Sequence, residues 1–222
     1  MTVLVVAAHP DDEILGVGGT LAAHASAGET VNVLICAEGS TSRDEGSRDE
    51  VETLQEAARA AAKALGTNPP QFLGLPDNRL DRLDLLDVTK QIAAVVETCA
   101  PRLVYTHHGG DLNIDHRIVH QAVVTACRPL PGSSVGEILA FETASSTEWA
   151  TTAIGEVFKP TAFKDISGTW NAKRKALEAY AAEMRPFPHA RSIEAVEALA
   201  KLRGSQASMP MAEGFQVLLS LR

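Results

Sequence analysis

Residues able to do chemistry are concentrated in three short stretches of the chain. The first, His9-Pro10-Asp11-Asp12-Glu13, directly follows the apolar run Val3 to Ala8. An imidazole and a carboxylate three residues apart on a tight turn can converge on one ion. Zinc takes such nitrogen and oxygen ligands at catalytic sites, where a water completes three protein ligands. Asp11, lying between them, would be left to hold and deprotonate that water. The plainer alternative is that Asp11 or Asp12 caps a helix starting near Glu13, since acidic residues are common there.

The second stretch runs from His107 through His108, Asn113 and Asp115 to His116, with His120 one helical turn further on. It carries four of the seven histidines. His116 and His120 are spaced i, i+4, so a metal pair on one helix face is geometrically open; His120 can equally be an ordinary core or surface residue. The third stretch, Gly39 to Arg48, holds Arg43 and Arg48. These could grip hydroxyl or phosphate oxygens of a substrate. They could also be solvated charges paired with Asp44, Glu45 and Asp49, the better reading for Arg43. Gly16-Val17-Gly18-Gly19 lacks the GxGxxG spacing and lies inside a helical pattern, so it is not read as a dinucleotide loop.

The elements that must position these residues alternate. Strands are expected at Val3–Ala8, where a β-branched apolar run marks burial on both faces, at Thr30–Cys36, also buried, and at Gln71–Leu75, Arg102–Thr106 and Glu137–Glu142. Helices are expected at Ile14–Ala27, Asp44–Leu65, Leu85–Thr98 and Asp115–Cys127, two of them closed by Gly28 and Gly66. The last third suggests a strand at Phe163–Ile166, helices at Trp170–Met184 and Ser192–Arg203, and a strand at Phe215–Leu221. The fold class is therefore α/β: a Rossmann-like, mostly parallel sheet with helices on both faces, in a single domain over residues 1–222. Ligands bind beyond the carboxyl ends of such strands, where the three polar stretches should meet.

With these motifs in place, the chain resembles the LmbE-like, or PIG-L, family of zinc-dependent N-deacetylases. The specific marks are Ala8-His9-Pro10-Asp11-Asp12-Glu13 and Asp115-His116. Supporting marks are Phe72 to Asn78, Phe141-Glu142-Thr143, Ser145 to Trp149, Pro188 to Ser192 and Ala212 to Phe215. The resemblance implies zinc ligands His9, Asp12 and His116, with Asp11 as general base. It implies a hydrolase that removes an N-acyl group, acetyl foremost, from an amino sugar or glycoside. Family members often carry His-x-x-His here, and Asn113 stands where the first histidine would fall. An asparagine amide can donate to an oxyanion but cannot deliver a proton at neutral pH. Asn113 is therefore expected to be an oxyanion donor, with a helix cap as the alternative; Asp11, His107 and His108 are the candidates for the acid. Arg191 and Glu213 line either the substrate mouth, a subunit contact or a structural ion pair.

A zinc amidase acting on a non-sugar amide would use the same residues. A sugar-binding relative without catalysis would have no need of Asp11. Net charge −8 argues against nucleic-acid partners. No apolar run approaches the ~20 residues needed to span a bilayer. Three widely spaced cysteines suggest reduced thiols and a cytoplasmic setting. The partner expected is a small N-acylated molecule, and the resemblance leaves a homo-oligomer open.

Overall fold

The computed structural model describes residues 1–39 and 48–221. A seven-stranded sheet runs through the molecule: β1 (Thr2–Ala7), β2 (Thr30–Ala37), β3 (Gln71–Leu75), β4 (Leu103–His107), β5 (Glu137–Phe141), β6 (Ala162–Asp165) and β7 (Ala212–Ser220). Its strand order is β3-β2-β1-β4-β5-β7-β6. The first five strands pair in parallel, and β7 runs antiparallel to both its neighbours. The helices are α1 (Asp12–Ser26), α2 (Arg48–Leu65), α3 (Leu85–Cys99), α4 (Ile114–Ala126), α5 (Trp170–Ala179) and α6 (Ile193–Gln206). The expected α/β architecture is the one found.

Alternation along β1 shows why both faces are covered. Val3 and Val5 join one buried cluster with residues of α1, α2, α5 and α6, while Leu4 and Val6 join another with α3 and α4. Successive side chains of a strand point to opposite faces, so a continuous apolar run is what a strand between two helical layers requires. The glycines of α1 serve packing. A Cβ on Gly16 would lie 2.2 Å from the Phe141 ring, and one on Gly19 would lie 2.8 Å from Ile166.

Most boundaries shift from the sequence reading, several of them by more than two residues. The helix expected over Trp170–Met184 ends at Ala179, because Tyr180 leaves helical geometry (φ −92, ψ 36) and residues 180–184 turn back on its carbonyl. Strand β7 starts at Ala212, not Phe215, since Ala212–Phe215 pair with β6. The first four residues of the expected helix Asp44–Leu65 lie outside the described residues, as does Arg43.

Order reversal places β1 beside β4, with the chain leaving them toward opposite sides. That is the topological switch point at which open α/β sheets bind ligands. His9 follows β1, and His107 ends β4.

Candidate active site

The turn after β1 is built around an unusual backbone. Asp11 has φ 103, in the left-handed region that a non-glycine residue occupies at a cost of about 1–3 kcal/mol. Its carbonyl accepts from Ile14 and Leu15 at 3.0 and 2.9 Å, so the strained residue is also the entry to α1. Asp12 thereby turns inward, and its Oδ2 accepts from the His9 backbone N–H at 2.8 Å.

On the other side of the switch point, Asn113 caps α4. Its Oδ1 accepts from Asp115 N at 2.8 Å, and its Nδ2 donates to Asn78 Oδ1 at 2.9 Å. The cap fixes the phase of the first turn, which sends Asp115 and His116 to different partners. Asp115 accepts from the backbone N–H groups of Asn78 and Leu80 at 2.7 and 3.0 Å and stands 3.1 Å from His9 Nε2. His116 Nε2 lies 3.3 Å from Asp12 Oδ2.

His9, Asp12 and His116 thus come together from two elements, with ligand atoms all within 4.8 Å of one another. His9 Nδ1 is 3.2 Å from Asp12 Oδ2. Each imidazole turns its other nitrogen to carboxylates: His9 Nε2 to Asp115 and, at 3.2 Å, Asp77 Oδ1; His116 Nδ1 to Asp111 Oδ1 at 3.0 Å. Such carboxylate partners fix tautomer and ring orientation at metal sites. Asp111 is itself held by the hydroxyls of Ser146 and Thr147 and by the Asn113 N–H.

These residues fit a divalent cation. Asp12 Oδ1 is buried and has no hydrogen-bond partner among the described residues, a deficit that a cation would satisfy. The histidines also show the demand for positive charge. Burial works against protonation of His9, yet hydrogen bonds to Asp115 and Asp12 push its pKa up to about 10. His116 is likewise opposed by burial but lifted to about 9 by Asp12 and Asp111. Burial would raise Asp12, but His116 and His107 hold it well below the carboxylate range. His9, Asp77 and Asp115 also form a group with metal-ligand spacing. Asp115 already satisfies two backbone donors there, so this group orients His9.

Asp11 sits next to the trio. Its Oδ2 accepts from Arg191 Nη1 at 2.8 Å. Burial raises its pKa to about 7 against the pull of Arg191. Arg191 Nε in turn donates to Ser145 Oγ at 2.7 Å, tying the loop before α6 to the segment after β5.

Other sequence candidates fall elsewhere. His107 is fully buried and its Nε2 accepts the Ala8 N–H at 2.8 Å, which puts its proton on Nδ1 beside Thr143 Oγ1. His108 Nε2 donates to the Glu156 carbonyl at 2.7 Å. His120 Nδ1 faces the His107 carbonyl at 2.8 Å, and His120 does not join the trio. The His116–His120 pair is therefore not formed as a metal site. Glu213 resolves as a structural partner: buried, it accepts from Lys173 Nζ at 2.6 Å and from the Gly19 and Thr20 N–H groups.

A family model described as "PIG-L: GlcNAc-PI de-N-acetylase" matches residues 4–127, more than half of the chain. The chain belongs to the PIG-L family. That span carries His9, Asp11, Asp12 and His116. An uncharacterized deacetylase, YaiS, from Escherichia coli K12 is 32% identical over 149 residues, covering 65% of this chain and 75% of that one. A 1D-myo-inositol 2-acetamido-2-deoxy-alpha-D-glucopyranoside deacetylase from Mycobacterium sp. JLS is 26% identical over 85% of this chain and 76% of its own. Among solved structures, GalB, the 4-carboxy-2-hydroxymuconate hydratase of Pseudomonas putida KT2440, superposes with a TM-score of 0.81 and 26% identity, covering 100% of this chain and 97% of that one.

Sequence reasoning missed the orienting contacts of Asp77 and Asp111. Asp77 was visible only as part of a PIG-L family mark.

Proposed function

We propose that the chain is a zinc-dependent hydrolase that removes an N-acyl group, acetyl foremost, from an amino sugar or glycoside. The observation that carries this reading is the convergence of His9, Asp12 and His116 beside Asp11. A divalent cation held by those three residues would polarise the acyl carbonyl and make a water acidic enough to attack near neutral pH.

The protein's own groups supply the rest. Arg191 occupies Asp11 Oδ2, leaving Oδ1 to take the proton from the attacking water. The acid that protonates the departing nitrogen is then the same carboxyl. His107 spends its Nε2 lone pair on Ala8, His108 faces Glu156, and Asn113 has no ionisable proton. A carboxyl with a pKa near 7 can both accept and return a proton at neutral pH. For Asn113 the observed contacts support capping; none supports the oxyanion role expected from its position. The three cysteines are unpaired, which supports a reducing, cytoplasmic setting. Among the described residues no helix is long and apolar enough to cross a membrane.

Free acetate should appear from a panel of N-acetylated sugars and glycosides, vanish on chelation and return with zinc. Asp11→Ala should keep its metal and lose roughly 10²–10⁴-fold in kcat. Release unaffected by chelation, or an active Asp11→Ala variant, would overturn the reading.

A second reading has its own support: the likeness to GalB spans the whole chain. Water addition to a carbon–carbon double bond of a small unsaturated acid also needs one group that takes and returns a proton. Loss of ultraviolet absorbance from 4-carboxy-2-hydroxymuconate without acetate release from any sugar would select it.

A further inference from the structure

Glu13 is the one acidic residue of the turn after β1 to which neither metal holding nor proton transfer gives a task. It is 3% exposed and carries a carboxyl whose two oxygens are separately engaged. Oε2 accepts from the backbone N–H of Asp11 at 3.0 Å. Oε1 accepts from the hydroxyl of Tyr180 at 2.7 Å. Tyr180 is 1% exposed and stands where α5 ends. Asp11 is the residue at φ 103.

We propose that Glu13 and Tyr180 form a brace that holds the backbone of Asp11 in its left-handed conformation and so aims its carboxylate at the metal trio. The proposal rests on Asp11 acting as the base. Two restraints then fix that carboxylate from opposite ends: Arg191 grips the side chain, and Glu13 grips the peptide. A strained residue at a functional site persists only when its surroundings over-determine it. Without the brace the Asp11 backbone can move within its strained well, which would swing the carboxylate out of line, while the hydrogen bond from the His9 N–H to Asp12 Oδ2 keeps those two ligands together. An error of about 1 Å in a positioned group costs on the order of 10²-fold in rate.

Glu13 and Tyr180 are positioning residues, and the test must separate that role from plain support. With N-acetylglucosamine as substrate, Glu13→Ala should lower kcat about 10–100-fold with KM little changed. Metal content and the electronic spectrum of the cobalt-loaded protein should stay as in the parent. Glu13→Gln keeps an acceptor for the Asp11 N–H and should recover most of the lost kcat. Tyr180→Phe, which removes one hydroxyl, should show a smaller loss in the same direction and serves if Glu13→Ala does not fold. In an Asp11→Ala background, Glu13→Ala should cost nothing further.

A readout free of activity exists as well. Glycine tolerates φ near 103, so Asp11→Gly should make the brace redundant. The melting temperature lost to Glu13→Ala should then shrink by about 2–4 °C in the Asp11→Gly background. Equal losses in all backgrounds, or a Glu13→Gln variant no better than Glu13→Ala, would overturn the proposal. An Asp11→Ala protein that kept full activity would instead remove the base assignment on which the brace depends.

Discussion

His116 offers the sharpest case of a side chain whose task is set by its neighbour. An imidazole presents two nitrogens, and a carboxylate beside one of them favours the proton there and leaves the other for a metal. Asp111 Oδ1, 3.0 Å from Nδ1, leaves Nε2 facing Asp12. Asp111→Ala should therefore weaken zinc affinity about 10–100-fold, measured by competition with a chromophoric chelator, with the fold intact. Unchanged affinity would mean that Asp111 serves only the loop it shares with Ser146 and Thr147. Asn113 poses the opposite question, since its Oδ1 and one of its two Nδ2 hydrogens are already engaged by Asp115 N and Asn78. Serine caps as well as asparagine but has no amide. Asn113→Ser should keep the melting temperature within about 2 °C and kcat within about tenfold. A 10²–10³-fold loss in kcat at unchanged stability would restore the oxyanion role. His9 and Asp12 stood out in the sequence as an imidazole and a carboxylate just after an apolar strand, while His116 joined them only through the PIG-L resemblance; the structure brings the three together. The orienting carboxylates were not, because Asp77 and Asp111 acquire their roles only from contacts 68 residues and five residues distant in the chain (Asp77 to His9, Asp111 to His116).

At the scale of elements, β1 to β5 and α1 to α4 read directly from periodicity. Strands β1, β4 and β5 and most of β2 are buried, with only β3 partly exposed at the sheet edge, and α1 and α2 are followed by glycines. The last third read less well for a physical reason. Strand β7 begins with Ala212, Glu213 and Gly214, a run that looks like loop until two partners are known. Glu213 is buried there, against Lys173 and two N–H groups of α1. That contact pins α1 to β7 and α5, and α1 carries Asp11 and Asp12 at its start. Glu213→Ala strands Lys173 without a counter-ion in the interior, and such losses cost about 3–5 kcal/mol. The melting temperature should fall by roughly 6–20 °C, read by calorimetry on the metal-loaded protein. A fall under about 2 °C would show that the pair contributes little to the packing of α1.

Across the whole molecule, an acidic chain with net charge −8 gathers Asp11, Asp12, Asp77, Asp111 and Asp115 at one switch point. Such a cage holds protons until a cation replaces them. His9 and His116 have pKa values pushed up to about 10 and about 9 without metal, above the ordinary value of 6.5. Both are protonated at neutral pH in that state, and both must lose the proton to become ligands. Zinc binding therefore releases protons, and apparent affinity should rise with pH between about 6 and 8, by up to ~100-fold per unit for two protons. A titration calorimeter run in buffers of different ionisation enthalpy would count those protons. A pH-independent affinity would contradict the account of the cage.

A metal held by His9, Asp12 and His116 would lie on the side of His9 that faces Asp12. Anomalous diffraction at the zinc edge from zinc-loaded crystals tests it most directly. One peak is expected about 2.0–2.2 Å from His9 Nδ1, His116 Nε2 and a carboxylate oxygen of Asp12. A peak instead among His9 Nε2, Asp77 and Asp115, or none at all, would contradict it.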